Sequence, residues 1–351
     1  EGADTDTYTV VLNAQPDSDV VITVTSADTG EVTVSAAELT FTNGNWNSAQ
    51  TVTVTGVDDN LVDGSVNTLV TMAVKDASSD DNFDGVSDQT VTVTTTDNDT
   101  AGFTLSSTTA TVTEAAGGGN TATYTVVLNA QPDSDVVISV TSADTGEVTV
   151  SSGTLTFTNG NWDTPQTVTL TGVDDNVIDV DTQTTVTMAV VDNDSDDNFD
   201  SVANQTVTVT TTDNDTAAFT LGAISGTVTE GGSTATFTVV LGAQPDSDVV
   251  ISVASGDTGE ATVSPSSLTF TNANWNNAQT VTVTGVDDNI IDGNQNTTIT
   301  MSVDDDNSDN NFDALADQTV TATTTDDDTA GFTLSTTTAT VTEGGSTATF
   351  T

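Results

Sequence analysis

Three copies of Gly-Val-Asp-Asp-Asn, at Gly56–Asn60, Gly172–Asn176 and Gly285–Asn289, each put two adjacent carboxylates at the end of a strand-like run. A further acid follows each copy, at Asp63, Asp179 and Asp292. Carboxylates this close repel one another unless a cation joins them. The chain supplies almost none, with 53 acidic residues against a single base, Lys75, and a formal net charge of -52. It has no His and no Cys, which excludes Ser-His-Asp and Cys-His catalysis and the usual zinc and haem ligands. Hard, oxygen-preferring cations, calcium above all, are the partners such a composition invites. The same charge repels nucleic acid and anionic lipid surfaces.

The elements that must carry these acids are repeated. Trp46, Trp162 and Trp275 head near-identical contexts, and Gln15–Asp19 recurs at Gln131–Asp135 and Gln244–Asp248. The unit is sandwich-sized rather than solenoid-sized. We divide the chain into a repeat at 1–99 lacking its first strand, repeats at 100–215 and 216–328, and a segment 329–351. That last segment is either the start of a fourth repeat or a donor strand for another copy. In the second repeat, Val, Ile, Leu and Phe alternate with Thr and Ser, predicting seven strands. They are Phe103–Glu114 (broken near its middle), Thr121–Asn129, Val136–Ser142, Glu147–Phe157 (kinked at 151–153), Gln166–Val173, Thr184–Val191 and Gln205–Thr212. No segment has a helical period, and no apolar run approaches a membrane span, so no direct membrane insertion is expected here. Following strand direction sorts the loops to two ends. Glu114, the Asp144 loop, the Asp174–Asp179 loop and Asp213–Asp215 share one end, the top. The turns at 132–135 and 158–162 and the acidic loop 192–200 share the other, the base.

Calcium takes about six to eight oxygens, mostly from loop carboxylates and carbonyls. The top of the second repeat offers Glu114, Asp144, Asp174, Asp175, Asp179, Asp213 and Asp215. Matching sets are Glu1, Asp28, Asp58, Asp59, Asp63, Asp97 and Asp99 in the first repeat, and Glu230, Asp257, Asp287, Asp288, Asp292, Asp326 and Asp328 in the third. With Val-Thr-Glu-Gly-Gly at Val228–Gly232, Asp-Asp-x-x-x-Asp at Asp287–Asp292 and Thr325–Phe332, each repeat resembles the Calx-beta domains of sodium/calcium exchangers and large bacterial surface proteins. The resemblance implies an all-β fold of tandem, seven-stranded, immunoglobulin-like sandwiches in an extended array. It also implies calcium held at one end of each by the matching acids. Asn60, Asn176 and Asn289 stand where another acid can occur, and Asn98 and Asn214 replace the middle acid of the closing triplet. Both changes imply fewer ions per domain.

A salt-adapted surface would spread its acids over every exposed face, whereas here exposed strand positions are mostly Thr and the acids gather in loops. Paired carboxylates could also suggest a glycosidase, but an active site seldom needs three equivalent copies. The Trp residues suit caps over the base of each core better than sugar platforms, and Phe83, Phe199 and Phe312 suit loop anchors. The expectation is therefore a non-enzymatic, calcium-stiffened stalk of an adhesin or matrix protein, at a bacterial surface or secreted. Its partners are calcium and neighbouring repeats of the same chain. A second reading makes it a fibre subunit joined to copies of itself by donor-strand complementation, and a third makes it a calcium-sensing module.

Overall fold

In the computed structural model, which describes residues 2–115 and 120–351, the chain divides into two compact units. The first comprises 1–173 with 182–212, and the second 174–181 with 213–351.

The first unit holds two sandwiches. One pairs a three-stranded sheet (Thr5–Val10, Gln50–Gly56, Val32–Val34) with a four-stranded sheet (Glu38–Phe41, Val20–Ser26, Val66–Val74, Gln89–Thr95). The other has four strands on one side, in the order Val148–Val150, Gln166–Gly172, Thr121–Leu128, Phe103–Leu105. Its second sheet runs Thr154–Phe157, Val136–Ser142, Thr182–Val190, Gln205–Thr212, Thr109–Thr113. The sandwich of the second unit repeats this plan, with Phe219–Leu221, Thr234–Leu241, Gln279–Gly285 and Ala261–Ser264 facing Val228–Thr229, Gln318–Thr325, Gln295–Val303, Val249–Ser255 and Ser267–Phe270.

The breaks read in the sequence are sheet crossings. Phe103–Leu105 pairs antiparallel with Thr121–Leu128, whereas Thr109–Thr113, a few residues on, pairs parallel with Gln205–Thr212 in the opposite sheet. Val148–Val150 and Thr154–Phe157 divide in the same way. One predicted strand thus supplies an edge to each sheet, so that both edges beside the core are covered.

Alternation places the core. Val, Ile and Phe at every second position point inward, and Phe157, Ile138, Phe270 and Ile251 are fully buried. Each such side chain contributes about 1.5–3 kcal/mol by leaving water. Trp46, Trp162 and Trp275 pack, half-buried, against the core of their own sandwich, and each backbone carbonyl accepts from a core leucine, Leu12, Leu128 or Leu241. Phe199 and Phe312 are fully buried under the base loops. Residues 329–351 contain no strand.

The glycine opening the second and third Gly-Val-Asp-Asp motifs has a packing reason. A Cβ on Gly172 would sit 2.3 Å from the Thr113 carbonyl oxygen, and one on Gly285 would sit 2.2 Å from that of Thr229. Only glycine lets the strand leading to Glu114 or Glu230 pass so close.

Candidate metal centre

In the second unit, Val228–Thr229 pairs parallel with the end of Gln318–Thr325, and the Glu230 backbone N–H donates to the Thr325 carbonyl at 3.2 Å. This pairing brings a carboxylate at the end of the first strand beside acids that leave the last strand about a hundred residues later. Carboxylate oxygens of Glu230, Asp326 and Asp328 lie within 4.8 Å of one another. Glu230 is 2% exposed, and its Oε2, like Oδ2 of Asp328, is buried without a hydrogen-bond partner. Burial, then the charge of Asp326, pushes the Glu230 carboxyl up, partly opposed by the Asp327 backbone N–H. Burial and the neighbouring Asp326 and Asp327 push Asp328 up as well. Ionising these neighbouring acids together costs more than ionising each alone, a cost that a counter-charge between them would offset. The donor set is all oxygen, which suits a hard cation.

The first sandwich gathers an equivalent group. Asp63 is raised by burial and then by Asp59, Asp97 and Asp133, and Asp99 by burial and then by Asp97, Asp59 and Asp58. Asp63 Oδ1 and Asp99 Oδ2 are buried and unpartnered. Glu1, the seventh residue expected here, lies outside the described residues.

The seven acids expected in the middle repeat fall in both units. Glu114, 1% exposed, belongs to the first, where its backbone N–H donates to the Thr212 carbonyl at 3.1 Å, and Asp144 belongs there too. Asp174, Asp175, Asp179, Asp213 and Asp215 belong to the second. Within it, burial and then Asp213 and Asp175 raise Asp215, and burial and then Asp175, Asp213 and Asp246 raise Asp179.

Not every predicted acid has a free oxygen pair. Asp28, Asp144 and Asp257 are exposed and close their own turns, accepting from the backbone N–H of Gly30, Gly146 and Gly259 at 2.8–2.9 Å. The second acid of each pair does likewise, with Asp59, Asp175 and Asp288 accepting from Leu61, Val177 and Ile290 at 2.8, 2.7 and 2.6 Å. Asp97 and Asp326 each tie two loops together. Asp326 accepts from Asp328 and Gly293, both at 2.8 Å, and Asp97 accepts from Asp99 and Gly64 at 2.7 and 2.8 Å. Asp213 accepts in the same way from Asp215 and Val180. In the first repeat the Asn98 side chain donates to Asp58 at 3.1 Å, whereas Asp287 in the third has Asp327 at the matching position.

One residue per repeat was missed in the sequence: Glu31, Glu147 and Glu260. Their backbone carbonyls accept from Val57, Val173 and Val286, each at 2.9 Å, which pins each glutamate next to the Asp pair. Glu31 is 9% exposed and is raised by burial and then by Asp63 and Asp59, and Glu260 by burial and then by Asp292 and Asp257. The signal was available, because each of these glutamates ends an Asp-Thr-Gly-Glu loop and immediately precedes a fully buried Val32, Val148 or Ala261.

No protein-family profile matches the sequence, and none of the curated proteins does. Among solved structures, the chain is similar to domains 4 and 5 of the S-layer protein SbsC at 20% identity, covering 54% of this chain and 70% of that one, with a TM-score of 0.28. It is also similar to CBD12 from CALX1.2 at 15% identity, covering 57% and 79%, with a TM-score of 0.24. No helix among the described residues is long and apolar enough to cross a membrane.

Proposed function

We propose that this chain is a non-enzymatic, calcium-binding run of structural repeats forming a rigid extracellular stalk of an adhesin or matrix protein. The observation that carries the reading is the buried, unpartnered Oε2 of Glu230, with carboxylate oxygens of Asp326 and Asp328 within 4.8 Å, in a chain with one base. Glu230, Asp326 and Asp328 would hold the ion, with Glu260, Asp288 and Asp292 close enough to feel its charge. The ion's contribution is electrostatic: it makes full ionisation of the cluster compatible with burial. The repeats run 1–99, 100–215 and 216–328, and Asp63, Asp97 and Asp99 would serve the first in the same way. Three near-identical copies suit a spacer better than a single recognition site. Thermal melts with and without calcium, together with ion counting on the purified chain, test the reading. Bound calcium and a higher melting temperature are expected; unchanged melting with no bound ion would sink it. Stiffening is tested separately by small-angle scattering, in which the maximum dimension should change on adding EGTA.

A second reading, a fibre subunit joined by donor-strand complementation, is favoured by one further feature. The first sandwich carries a cavity of about 650 Å³ lined by Tyr8, Val10, Leu12, Ile22, Met72 and Phe83. Phe332, Leu334 and Val341, which match Phe103, Leu105 and Val112 of the second repeat, are exposed. Phe332→Asp should then abolish self-association.

A further inference from the structure

The base turns hold an acid that none of the top clusters contains. In the first unit, loop 60–62 of one sandwich is seated on the base of the next. Leu61 bridges in parallel to Gln131, the Gln131 N–H donates to the Asn60 carbonyl at 2.7 Å, and the Val62 N–H donates to the Gln131 carbonyl at 3.0 Å. The Asn198 side-chain amide donates to the Val62 carbonyl at 2.7 Å, and the Val62 side chain, 9% exposed, joins the core of that next sandwich. On paired extended chains, residues two apart share a face. Asp63 and Asp133 each stand two residues beyond the bridged pair, so they leave the joint side by side.

Asp133 is fixed in place, yet its carboxylate is idle. Its backbone N–H and that of Ser134 donate to the buried Asp196 at 2.7 and 3.0 Å, which sets the turn. The Asp133 side chain is exposed and accepts no hydrogen bond from any described residue. Across the joint, Asp63 Oδ1 is buried without a partner. Glu31 adjoins it; that side chain is 9% exposed, accepts no hydrogen bond from any described residue, and is raised by burial and then by Asp63 and Asp59. The charge of Asp133 reaches Asp63, which is raised by burial first and then by Asp59, Asp97 and Asp133.

The second unit repeats this within itself. Val177 bridges in parallel to Gln244, the Gln244 N–H donates to the Asn176 carbonyl at 2.7 Å, and the Asn311 amide donates to the Ile178 carbonyl at 3.2 Å. Asp179 and Asp246 again follow the bridge by two residues, and Asp179 Oδ1 is again buried and unpartnered. Asp309 sets this turn by accepting from the Asp246 and Ser247 N–H groups at 2.7 and 3.0 Å. The chain's one base, Lys75, pairs with Glu38 at 2.6 Å, so neither joint draws a side-chain counter-charge from the protein.

We propose that Asp133 and Asp246 complete calcium sites begun across the joint by Asp63 and Asp179, so that each ion is held by two repeats at once. This rests on the calcium reading above and adds the ligand that crosses the joint. Binding and seating are then linked: the ion is held more tightly when the loop is seated, and the joint is harder to open when the ion is bound.

Calorimetric calcium titration of the full chain tests this. Asp133→Asn should weaken one site by about tenfold, and Asp133→Asn combined with Asp246→Asn should weaken two, while the Glu230 cluster keeps its affinity. Neither change removes the backbone N–H groups that set the turns, so the melting temperature in EGTA should not fall. Asp163→Asn, which removes an exposed base charge from the same sandwich as Asp133, should leave calcium affinity unchanged. Wild-type chain that binds no calcium overturns this site and the proposed function together. Calcium binding with the same affinity in the double variant as in wild type overturns the joint site alone. So does an equal loss in Asp163→Asn, which assigns the effect to diffuse charge.

Discussion

Both ends of each sandwich are acidic, but the most buried acids at the two ends are held in opposite ways. At the base, Asp80, Asp196 and Asp309 are buried, and each carboxylate accepts three backbone N–H bonds. For Asp309 the donors are Asp246, Ser247 and Asn311, at 2.7, 3.0 and 2.9 Å. Such bonds hold the Asp80 carboxyl below its ordinary value, the Asn82 N–H most strongly. At the top, Glu230, Asp328, Asp63 and Asp99 each leave a buried oxygen unpartnered and are pushed up by burial and by one another. Acid count therefore does not distinguish the two ends. What distinguishes Asp80, Asp196 and Asp309 from the top acids is that the backbone already satisfies their charge, although Asp313 beside Asp309 also keeps an oxygen without a partner.

The largest expected difference between the ends is their response to calcium. At a thousandfold excess of free calcium over its dissociation constant, each filled site adds ~4.1 kcal/mol to the folded state, read as a rise in melting temperature. Asp309→Ala should cost about 3 kcal/mol, because it strands three backbone donors in a buried turn, and the loss should be equal in calcium and in EGTA. A loss that disappeared on adding calcium would place an ion at the base and erase the contrast. Val180→Gly should stabilise by about 1 kcal/mol. Val180 holds a left-handed φ of 63° where the other two repeats have Gly64 and Gly293, and a β-branched side chain is strained there. Urea titration of the variant checks this. Glu230→Gln should change sign with conditions, raising the melting temperature in EGTA by relieving repulsion and lowering it in calcium by removing a ligand.

The smallest effect concerns pH. A carboxyl whose folded pKa is raised contributes stability that is complete below its unfolded value and lost as pH rises through the folded one. Calcium-free chain should therefore melt at progressively lower temperature as pH rises above about 4, through Glu31, Asp63, Asp99 and Glu230. Asp80 acts oppositely, and its contribution is lost only as pH falls below about 4. Differential scanning calorimetry of calcium-free protein at several pH values would reveal a flat profile if the top acids were merely solvated.

The strands were legible because alternation is a local property. Val136–Ser142 and Gln205–Thr212 match their expected limits, and the kink at 151–153 lies where the chain changes sheets. The acids of the top loops were legible because they repeat. Glu31, Glu147 and Glu260 were not, since a lone glutamate before a strand looks like any exposed residue until its carbonyl is bonded beside the Asp pair. Nor does spacing show that Asp28, Asp144 and Asp257 each spend one carboxylate oxygen on closing a turn.

By itself the sequence determined the repeat, the strand pattern, the loops that share an end and the shortage of internal cations, all of which follow from residue type and spacing. Tertiary structure alone decided which acids are satisfied, because that depends on backbone N–H groups contributed from far along the chain. The Asp309 carboxylate meets Asp246 and Ser247, while parallel pairing sets Glu230 beside Asp326 with an oxygen left over. It also decided that Leu61-Val62 and Val177-Ile178 are seated on the base of a sandwich, since a local pattern cannot show which surface a loop meets.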